Sequence, residues 1–402
     1  MRLLGVIDEK LLLQDENRFF VESNENIQKT FKNYNFLKNR DTVIGGNPIT
    51  GEGVFNFRYG PITSGVREAG VFNIYTFGER ILSVNIDLSY KKRNIEKLMI
   101  NKTPQEGLTL AKAVATNFCV SHALAYTRAV EKAFDINVGK NTEKIRVIAL
   151  ELERIYNHIH LFGKLARGGA QQVLASHLEA LYEDSLRINK ELCGDRFLSN
   201  VIEIGYCKIK QQDFSKIKQK LLSIKEKLEE LFEHALNSYN FVDRIYQTAV
   251  LEDKQAIEIG ITGPSLRASG IKEDLRCFEP IYKDFHIQTQ EDGDALSRLI
   301  VRIKEAIYSI NLVIDLVNEI EPPDNIEIKD QIAKEAIGYA ESPGGLVVYY
   351  LQFENNKIEQ VYISTPSVFG FKAFCDTFAG HIFTDFSFAF DSFGINFADA
   401  AR

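Results

Sequence analysis

The sequence of 402 residues contains no tryptophan and only two methionines and five cysteines. The cysteines are scattered along the chain, and no two of them form a Cys-x-x-Cys pair. An odd number of dispersed cysteines argues against a disulfide framework and favours free, mostly buried thiols in a reducing cytoplasm.

Long hydrophobic runs and an excess of basic residues are missing as well. The longest apolar stretch, near Leu346 to Phe353, is much shorter than the roughly twenty residues of a membrane-spanning helix. Charged side chains at Asp8 and Glu9 come too early for a secretory signal peptide, so none is expected. The net charge is −7, and no clustered basic face suggests nucleic acid as a partner.

The sequence does contain a clear change of hydrophobic period, which divides it into three predicted domains. Residues 1–92 alternate apolar and polar positions between glycine-rich turns and predict a small β-rich domain. Residues 93–325 follow a period of 3.6 and predict a long helical bundle that ends at Pro322 and Pro323. Residues 326–402 predict a β-hairpin, turned at Asn355-Asn356, that packs back on the bundle. The predicted fold class is α+β, mainly α.

The bundle and the segments beyond it carry more specific expectations. The last residues of the chain are rich in Phe and predict a buried layer, whereas Gly394 to Arg402 reads as a short, glycine-broken tail. The predicted helices are Ile95–Met99, Glu106–Phe134, Lys144–Ala166, Gln172–Cys193, Asp213–Asn237 and Asp294–Glu319.

One helical stretch, Ala115–Glu131, places a thiol, an imidazole and a phenol on an otherwise apolar face. The residues of this face are Ala115, Phe118, Cys119, His122 and Tyr126. A histidine in such a place is either a satisfied core side chain or a functional group.

Another predicted helix carries Glu151 and Glu153 near His158 and His160. These residues could form a proton relay or the solvated edge of a helix. The His-x-His spacing does not put both rings on one helical face, so it is a poor metal pair.

Nine short motifs follow one another in a fixed order along most of the chain. They are Gly60-Pro61 with Glu68, Tyr90–Lys97, Ser121–Glu131, Glu151–His158, Gly194–Leu198, Gly263–Gly270, Glu291–Arg298, Glu341–Pro343 and Thr365–Ser367. Together they resemble the large subunit of nickel–iron hydrogenases and its relative, the 49-kDa quinone-site subunit of respiratory complex I. The most similar branch is that of the membrane-bound, energy-converting hydrogenases.

The resemblance implies a core subunit of an oxidoreductase complex that is related to NADH–quinone oxidoreductase and to hydrogenases, with quinone and NAD as substrates of such complexes. The implied partners are an iron–sulfur small subunit, other complex I-like or hydrogenase-4-like subunits and, through the complex, a membrane arm. The implied location is peripheral, at the cytoplasmic side of the inner or plasma membrane.

In the hydrogenases of this family, two Cys-x-x-Cys pairs hold nickel and iron, one just before the His122-type histidine and one just before a final Arg. Counted back from His122 and Arg402, these ligand positions hold four other residues: Ala115, Phe118, Asn396 and Asp399. Nickel and low-spin iron need bridging thiolates, which none of the four supplies. We therefore expect no nickel–iron centre and no other cofactor on this chain, with an iron–sulfur cluster in the partner subunit.

The complex I branch places a quinone headgroup between a loop His and a helix Tyr. By alignment these two residues fall on Thr63 and Thr116, which keep a hydroxyl but neither an imidazole nor a phenol. A quinone could bind nearby only through another donor, such as His122 or Tyr126.

Glu68 occupies the position where hydrogenases of this branch carry a carboxylate suggested to pass protons. Buried between apolar walls, it would have a raised pKa and could form a proton relay with His122. The alternative is a structural pair with Arg67 or Arg93.

Two of the former ligand positions carry expectations of their own. Asp399 either takes part in proton transfer or pairs with Arg402 or Arg267 to fill the vacated site. Phe118 is expected to fill part of the former metal cavity, because an empty space of that size is costly.

Three functions follow from these residues. In the first, the subunit lacks a nickel–iron centre and couples electron transfer from an adjacent iron–sulfur subunit to a proton or ion pump. In the second, it is a scaffold with a degenerate, filled-in site. In the third, it is a quinone-reducing NADH dehydrogenase subunit of the 49-kDa type with substitute donors.

Overall fold

The computed structural model describes residues 1–8, 10–23, 31–39, 42–63, 68–210, 214–318, 320–321 and 333–402. The two prolines of the predicted linker, and Arg67 as a partner of Glu68, lie outside these ranges. Within them the chain combines several small antiparallel sheets with a large set of helices, which confirms the predicted α+β class.

The N-terminal part forms two antiparallel sheets with a short helix, α1 (Tyr34–Asn39), between them in sequence. The strands of the first sheet are β1 (Arg2–Ile7), β2 (Lys10–Asp15) and β3 (Arg18–Glu22). The second sheet has the order β4-β7-β6-β5, and its strands are β4 (Val43–Gly45), β5 (Val54–Tyr59), β6 (Val71–Phe77) and β7 (Arg80–Asp87).

The central part is helical, as its 3.6-residue period predicted. Its helices are α2 (Ile95–Met99), α3 (Pro104–Lys112), α4 (Cys119–Ala133), α5 (Lys140–Gly168), α6 (Gln172–Cys193), α7 (Phe214–Leu236), α8 (Tyr239–Ile245), α9 (Asp253–Ile259), α10 (Pro264–Ala268) and α11 (Ala295–Val317). A two-stranded ribbon of β8 (Ile202–Glu203) and β9 (Tyr206–Cys207) interrupts them. Helix α5 packs against α6 and α11, and α6 packs against α7.

The predicted helix Glu106–Phe134 is wrong, because two helices with a break between them occupy this stretch. Helix α3 ends at Lys112, and α4 begins only after a 3-10 turn at residues 116–118. The Arg93 guanidinium donates to the carbonyl oxygens of Ala113 (2.7 Å) and Val114, so a side chain takes the acceptors that a continuing helix would use. Ala115 is extended, with φ −148° and ψ 116°, and shares no helical face with His122.

The C-terminal part contains the predicted hairpin and more besides. Strands β11 (Gly345–Glu354) and β12 (Lys357–Ser364) turn at Asn355 and Asn356, whose φ values of 51° and 58° suit a tight hairpin turn. A strand that the sequence analysis missed, β10 (Glu335–Ser342), completes the sheet. The remaining helices are α12 (Pro366–Thr377), α13 (Phe386–Ser392) and α14 (Phe397–Ala401).

Gly338 allows the C-terminal sheet to lie directly on α4. A Cβ atom at this position would come within 2.2 Å of the carbonyl oxygen of Ala125 and 2.3 Å of the amide nitrogen of Ala129. Gly338 is the register partner of Tyr349 on β11, and directly opposed residues of an antiparallel pair face the same side of a sheet. The close approach at Gly338 therefore brings the Tyr349 side chain onto α4.

The Phe-rich C-terminal helices form a buried layer, as predicted. Phe371, Phe374 and Phe390 pack in one apolar cluster with Phe72 and Ile74 of the N-terminal sheet. The predicted tail is not irregular, because α14 is a capped helical turn. The domain division at residues 92/93 and 325/326 stays a prediction. In the described part of the chain, no helix combines the length and apolarity that crossing a membrane requires.

Candidate functional site

His122 and Asp399 form a fully buried pair at the contact of α4 and α14. The imidazole Nε2 lies 2.8 Å from Asp399 Oδ1, and Nδ1 lies 2.9 Å from the Tyr349 hydroxyl. Because a carboxylate can only accept, Nε2–H donates to Asp399, and the phenol donates to Nδ1. Burial raises the pKa of Tyr349 well above its ordinary value, so this phenol keeps its proton. A carboxylate, an imidazole and a phenol thus form one hydrogen-bonded chain.

The ion pair with Arg402 or Arg267, one of the two roles considered for Asp399, does not form. Its second oxygen, Oδ2, accepts from the Ser367 amide at 3.2 Å. Arg402 donates to the carbonyl oxygen of Ile363, and Arg267 binds Glu305 and other acids deeper in the bundle. His122 therefore takes the place that an arginine was expected to fill.

Asn396 connects the last segment of the chain to the turn before α4. Its Oδ1 accepts from the amide of Asp399 at 3.0 Å and caps α14, while its Nδ2 donates to Asn117 Oδ1 at 2.6 Å. The carbonyl oxygen of Asn117 accepts from the hydroxyl of Tyr156 (3.0 Å) and from Nδ2 of Asn157 (2.6 Å). The sequence analysis missed Asn117, because nothing in its local pattern marks it.

Phe118 and Ala115 are buried in the same region. The Phe118 ring lies against the backbone of Gly344, where a Cβ atom would come within 3.2 Å of its Cζ. The neighbouring thiol of Cys119 is buried, and burial raises its pKa to about 12. At neutral pH this cysteine is therefore a thiol rather than a thiolate.

Glu68 reaches the site through α14. Its Oε2 accepts from the amide of Ala398 at 3.0 Å, and the side chain is only half-buried. Arg93 donates to the carbonyl oxygen of Ala398 at 3.3 Å, so both side chains hold this helical turn. Thr116 is exposed and Thr63 is partly buried.

Glu151 and Glu153 are fully buried, so the solvated helix edge considered for them is wrong. Glu153 accepts from the amides of Val120 (2.7 Å) and Ser121 (3.1 Å) at the first turn of α4. Burial raises the pKa of Glu153 to about 8, against hydrogen bonds that favour its charged form. Glu153 therefore holds the start of α4. It can also carry a proton beside Ser121, the residue that precedes His122.

Glu151 belongs to a larger buried network of charges between α5, α10, α11 and β10. Burial by itself raises its pKa, but Arg154 and Arg276 hold that pKa below its usual value. His158 Nε2 lies 3.3 Å from Glu305, whereas the His160 ring packs against Tyr182, so the two rings have different partners. The other charged members are Arg267, Asp274 and Glu341.

Comparison with known proteins shows which sequences this chain is similar to. The family described as respiratory-chain NADH dehydrogenase, 49 Kd subunit, matches residues 179–334. The membrane-bound hydrogenase subunit alpha of Pyrococcus furiosus is 31% identical over 326 residues, which cover 74% of this chain and 75% of that protein. The chain belongs to this family of large, 49-kDa-type subunits.

Further members are similar over comparable lengths. NADH-quinone oxidoreductase subunit 4 of Thermus thermophilus is 28% identical over 311 residues, 73% of this chain and 74% of that protein. A solved chain of the membrane-bound sulfane sulfur reductase, an archaeal respiratory membrane complex, has the same fold with a TM-score of 0.76 at 21% identity. That likeness covers 89% of this chain and 100% of the solved one. The chain is thus a 49-kDa-like core subunit of the kind found in complex I-like and hydrogenase-related complexes, as its motifs predicted.

The residues of this family member do not suit a nickel–iron centre. The four former ligand positions supply a methyl group, a benzyl group, an amide and a carboxylate that already binds His122. Cys119 is a single thiol beside these positions, whereas a nickel–iron centre needs several bridging thiolates. The described residues include no group of three or more His, Cys, Asp or Glu side chains that could hold a metal ion.

Proposed function

We propose that this 49-kDa-type subunit serves, without a nickel–iron centre, in a membrane-associated redox complex. In this proposal electrons come from an adjacent iron–sulfur subunit at the cytoplasmic side of the membrane, and the large subunit couples their transfer to a proton or ion pump. The observation that carries the proposal is the buried chain of Asp399, His122 and Tyr349, which can hold a proton where the hydrogenases hold a metal.

The chemistry of this coupling is electrostatic. Negative charge that arrives near a buried imidazole–carboxylate pair raises its affinity for a proton, because little solvent screens the interaction. Half-buried Glu68 accepts from the amide of Ala398, the residue before Asp399, so a second carboxyl lies beside the helical turn that carries the pair. Proton uptake would therefore accompany reduction of the neighbouring cluster.

A scaffold is the second candidate function. Phe118 fills space against Gly344, and Asn396 is bound to Asn117, so much of the former metal site is occupied by protein side chains. A scaffold would keep the complex assembled, but the chemistry of His122 and Asp399 would contribute nothing to turnover.

A measurement of proton uptake when the purified complex is reduced distinguishes the coupling function from the scaffold function. We expect the wild-type complex to take up protons, and Glu68→Gln and Asp399→Asn to lower the coupled rate by about 10² or more, the size of effect typical of a lost proton-transfer group. Glu79→Gln, on the exposed turn after β6, is the matched control and should change nothing. Normal uptake and turnover in both test variants, in assembled complexes, would leave the scaffold as the function.

Two further measurements address the remaining alternatives. Elemental analysis of the complex should find far less than one nickel per large subunit, and stoichiometric nickel would overturn the proposal. A photoreactive quinone analogue that labels Thr63, Thr116 or His122 would support the quinone-reducing function, and labelling confined to other regions would count against it.

A further inference from the structure

A small polar cavity lies beside Phe118, between α5, α11 and the segment that leads to α14. Its volume is about 50 Å³, which is room for a few water molecules or one small anion. Its polar lining consists of Asn117, Asn157, His158, His160, Lys164, Arg302 and Asp391.

Arg302 is the most deeply buried cation of the lining, with 1% of its surface exposed. Its two terminal nitrogens donate to the carbonyl oxygens of Pro343 (2.9 Å) and Phe393 (2.8 Å). Its Nε has no hydrogen-bond partner among the described residues. A guanidinium that is held by carbonyl groups alone keeps its full positive charge next to the cavity.

The acidic side chains around Arg302 are engaged elsewhere. Glu305, one turn along α11, binds Arg267 Nε at 2.8 Å and His158 at 3.3 Å. Burial lowers the pKa of His158 to about 3, so this imidazole adds no charge to the cavity at neutral pH. At the outer rim, Lys164 forms a close ion pair with Asp391. The lining thus carries two cations against one carboxylate.

We propose that this cavity is a binding site for one small monovalent anion of up to about four heavy atoms, such as formate or bicarbonate, held by Arg302 and Lys164. The anion would supply the missing acceptor for Arg302 Nε and balance the charge of the lining. The site is separate from the His122–Asp399 pair, so its occupancy can be measured without turnover and does not depend on the proposed redox role.

Infrared spectroscopy of the purified full chain with azide tests the proposal directly. Azide is a small monovalent anion whose stretching band shifts and sharpens when the ion leaves water for a fixed site. We expect a shifted band that saturates with azide concentration and that formate and bicarbonate displace, while the bulkier gluconate does not. A band that grows linearly without saturation into the millimolar range would overturn the site.

Two variants at the rim of the cavity should change the affinity for azide in opposite directions. Lys164→Met removes an attractive charge and leaves Asp391 unpaired, so azide should bind at least 10-fold more weakly. Asp391→Asn removes the competing carboxylate, so azide should bind at least 3-fold more tightly. Lys220→Met, which breaks an exposed ion pair with Glu191 on other helices, is the matched control and should leave affinity unchanged. Equal affinity in the Lys164 and Asp391 variants would show that azide binds elsewhere.

Discussion

The ring of Phe118 and the bare backbone of Gly344 are complementary in shape. Gly344 has no Cβ atom, and the ring lies where that atom would begin to crowd it. Phe118 itself is 2% exposed, so its ring contributes to the packed interior. The Phe118 ring thus fills space beside the former metal positions, and it fits there because Gly344 has no side chain.

At the residue scale, we expect Phe118→Ala to lower the free energy of unfolding by about 3–5 kcal/mol, because it leaves a cavity in a rigid surrounding. Urea unfolding followed by circular dichroism measures the change. Phe55→Ala is the control, because Phe55 is 63% exposed and its removal should cost no more than about 0.5 kcal/mol.

The double variant tests the complementarity itself. Gly344→Ala alone should cost about 1–3 kcal/mol through crowding against the ring. In the Phe118→Ala background the same change should cost clearly less, because the ring is gone. Strictly additive losses would show that the two positions do not share this space.

At the scale of elements, α14 is a single helical turn that several distant parts of the chain hold in place. Asn396 caps its start, Glu68 accepts from its second residue, and Asp399 inside it binds His122. A helix of this length has almost no stability of its own, so tertiary contacts maintain it. Loss of the cap should therefore loosen the candidate site as well as the helix.

We expect Asn396→Ala to speed amide hydrogen exchange across residues 399–402 by about 5-fold to 30-fold, equivalent to roughly 1–2 kcal/mol for a lost cap. Asn396→Asp should have a smaller effect, because a carboxylate still caps the helix while the donor to Asn117 is lost. Hydrogen-exchange mass spectrometry of the C-terminal peptides measures the exchange rates in both variants.

Thr103→Ala provides the control for this prediction, because Thr103 caps α3 in the same way, through the amide of Glu106. Its loss should affect exchange in α3 and leave residues 399–402 unchanged. If Asn396→Ala left those residues as protected as in the wild type, Glu68 and His122 would be sufficient to hold the turn.

At the scale of the whole molecule, a buried network of charges joins elements that are far apart in sequence. Arg267 on α10 binds Glu305 on α11 (2.8 Å) and Glu341 on β10 (3.1 Å). Burial and the neighbouring Asp274 raise the pKa of Glu341 to about 7, against the attraction of Arg267. The network therefore connects the helical bundle with the C-terminal sheet through charge.

Among the buried charges, His158 lowers stability in mild acid, whereas the raised pKa values of Glu341 and Glu153 have the opposite effect. The pKa of His158 is lowered to about 3 in the folded chain by burial, whereas an unfolded histidine titrates near 6.5. Below pH 6.5 the unfolded state binds the proton at His158 and the folded state does not, so the contribution of His158 to stability falls as the pH falls toward 3. Between pH 7 and pH 5 we expect His158 alone to account for about 2 kcal/mol of that fall.

Urea unfolding at pH 7, 6 and 5 measures the slope in the wild type and in His158→Gln. The variant is less stable at pH 7, but its deficit relative to the wild type should shrink by about 2 kcal/mol between pH 7 and pH 5, because it lacks the titrating ring. His177→Gln, on the surface of α6, should leave the wild-type slope in place. Parallel slopes in the wild type and in His158→Gln would show that His158 titrates in the folded chain as it does in the unfolded chain.

Several features follow from the sequence alone because they depend on neighbouring residues. The period of 3.6 marks the bundle, the paired asparagines mark the hairpin turn, and the Phe-rich end marks a buried layer. The order of the motifs also identifies the family. The break before Cys119 was not visible, because the Arg93 side chain that satisfies the carbonyl oxygens there comes from an earlier segment.

Only the tertiary structure decides which polar groups meet. Asp399 lies 277 positions from His122, and the contact forms because Gly338 seats the sheet on α4 and Asn396 starts a helical turn beside it. In the local sequence Glu151 belongs to a polar stripe of a helix. Its oppositely charged partner, Arg276, lies 125 positions away. A charged stripe on a helix is the same pattern whether it faces water or opposite charges, and the packing of distant elements determines which of the two surrounds it.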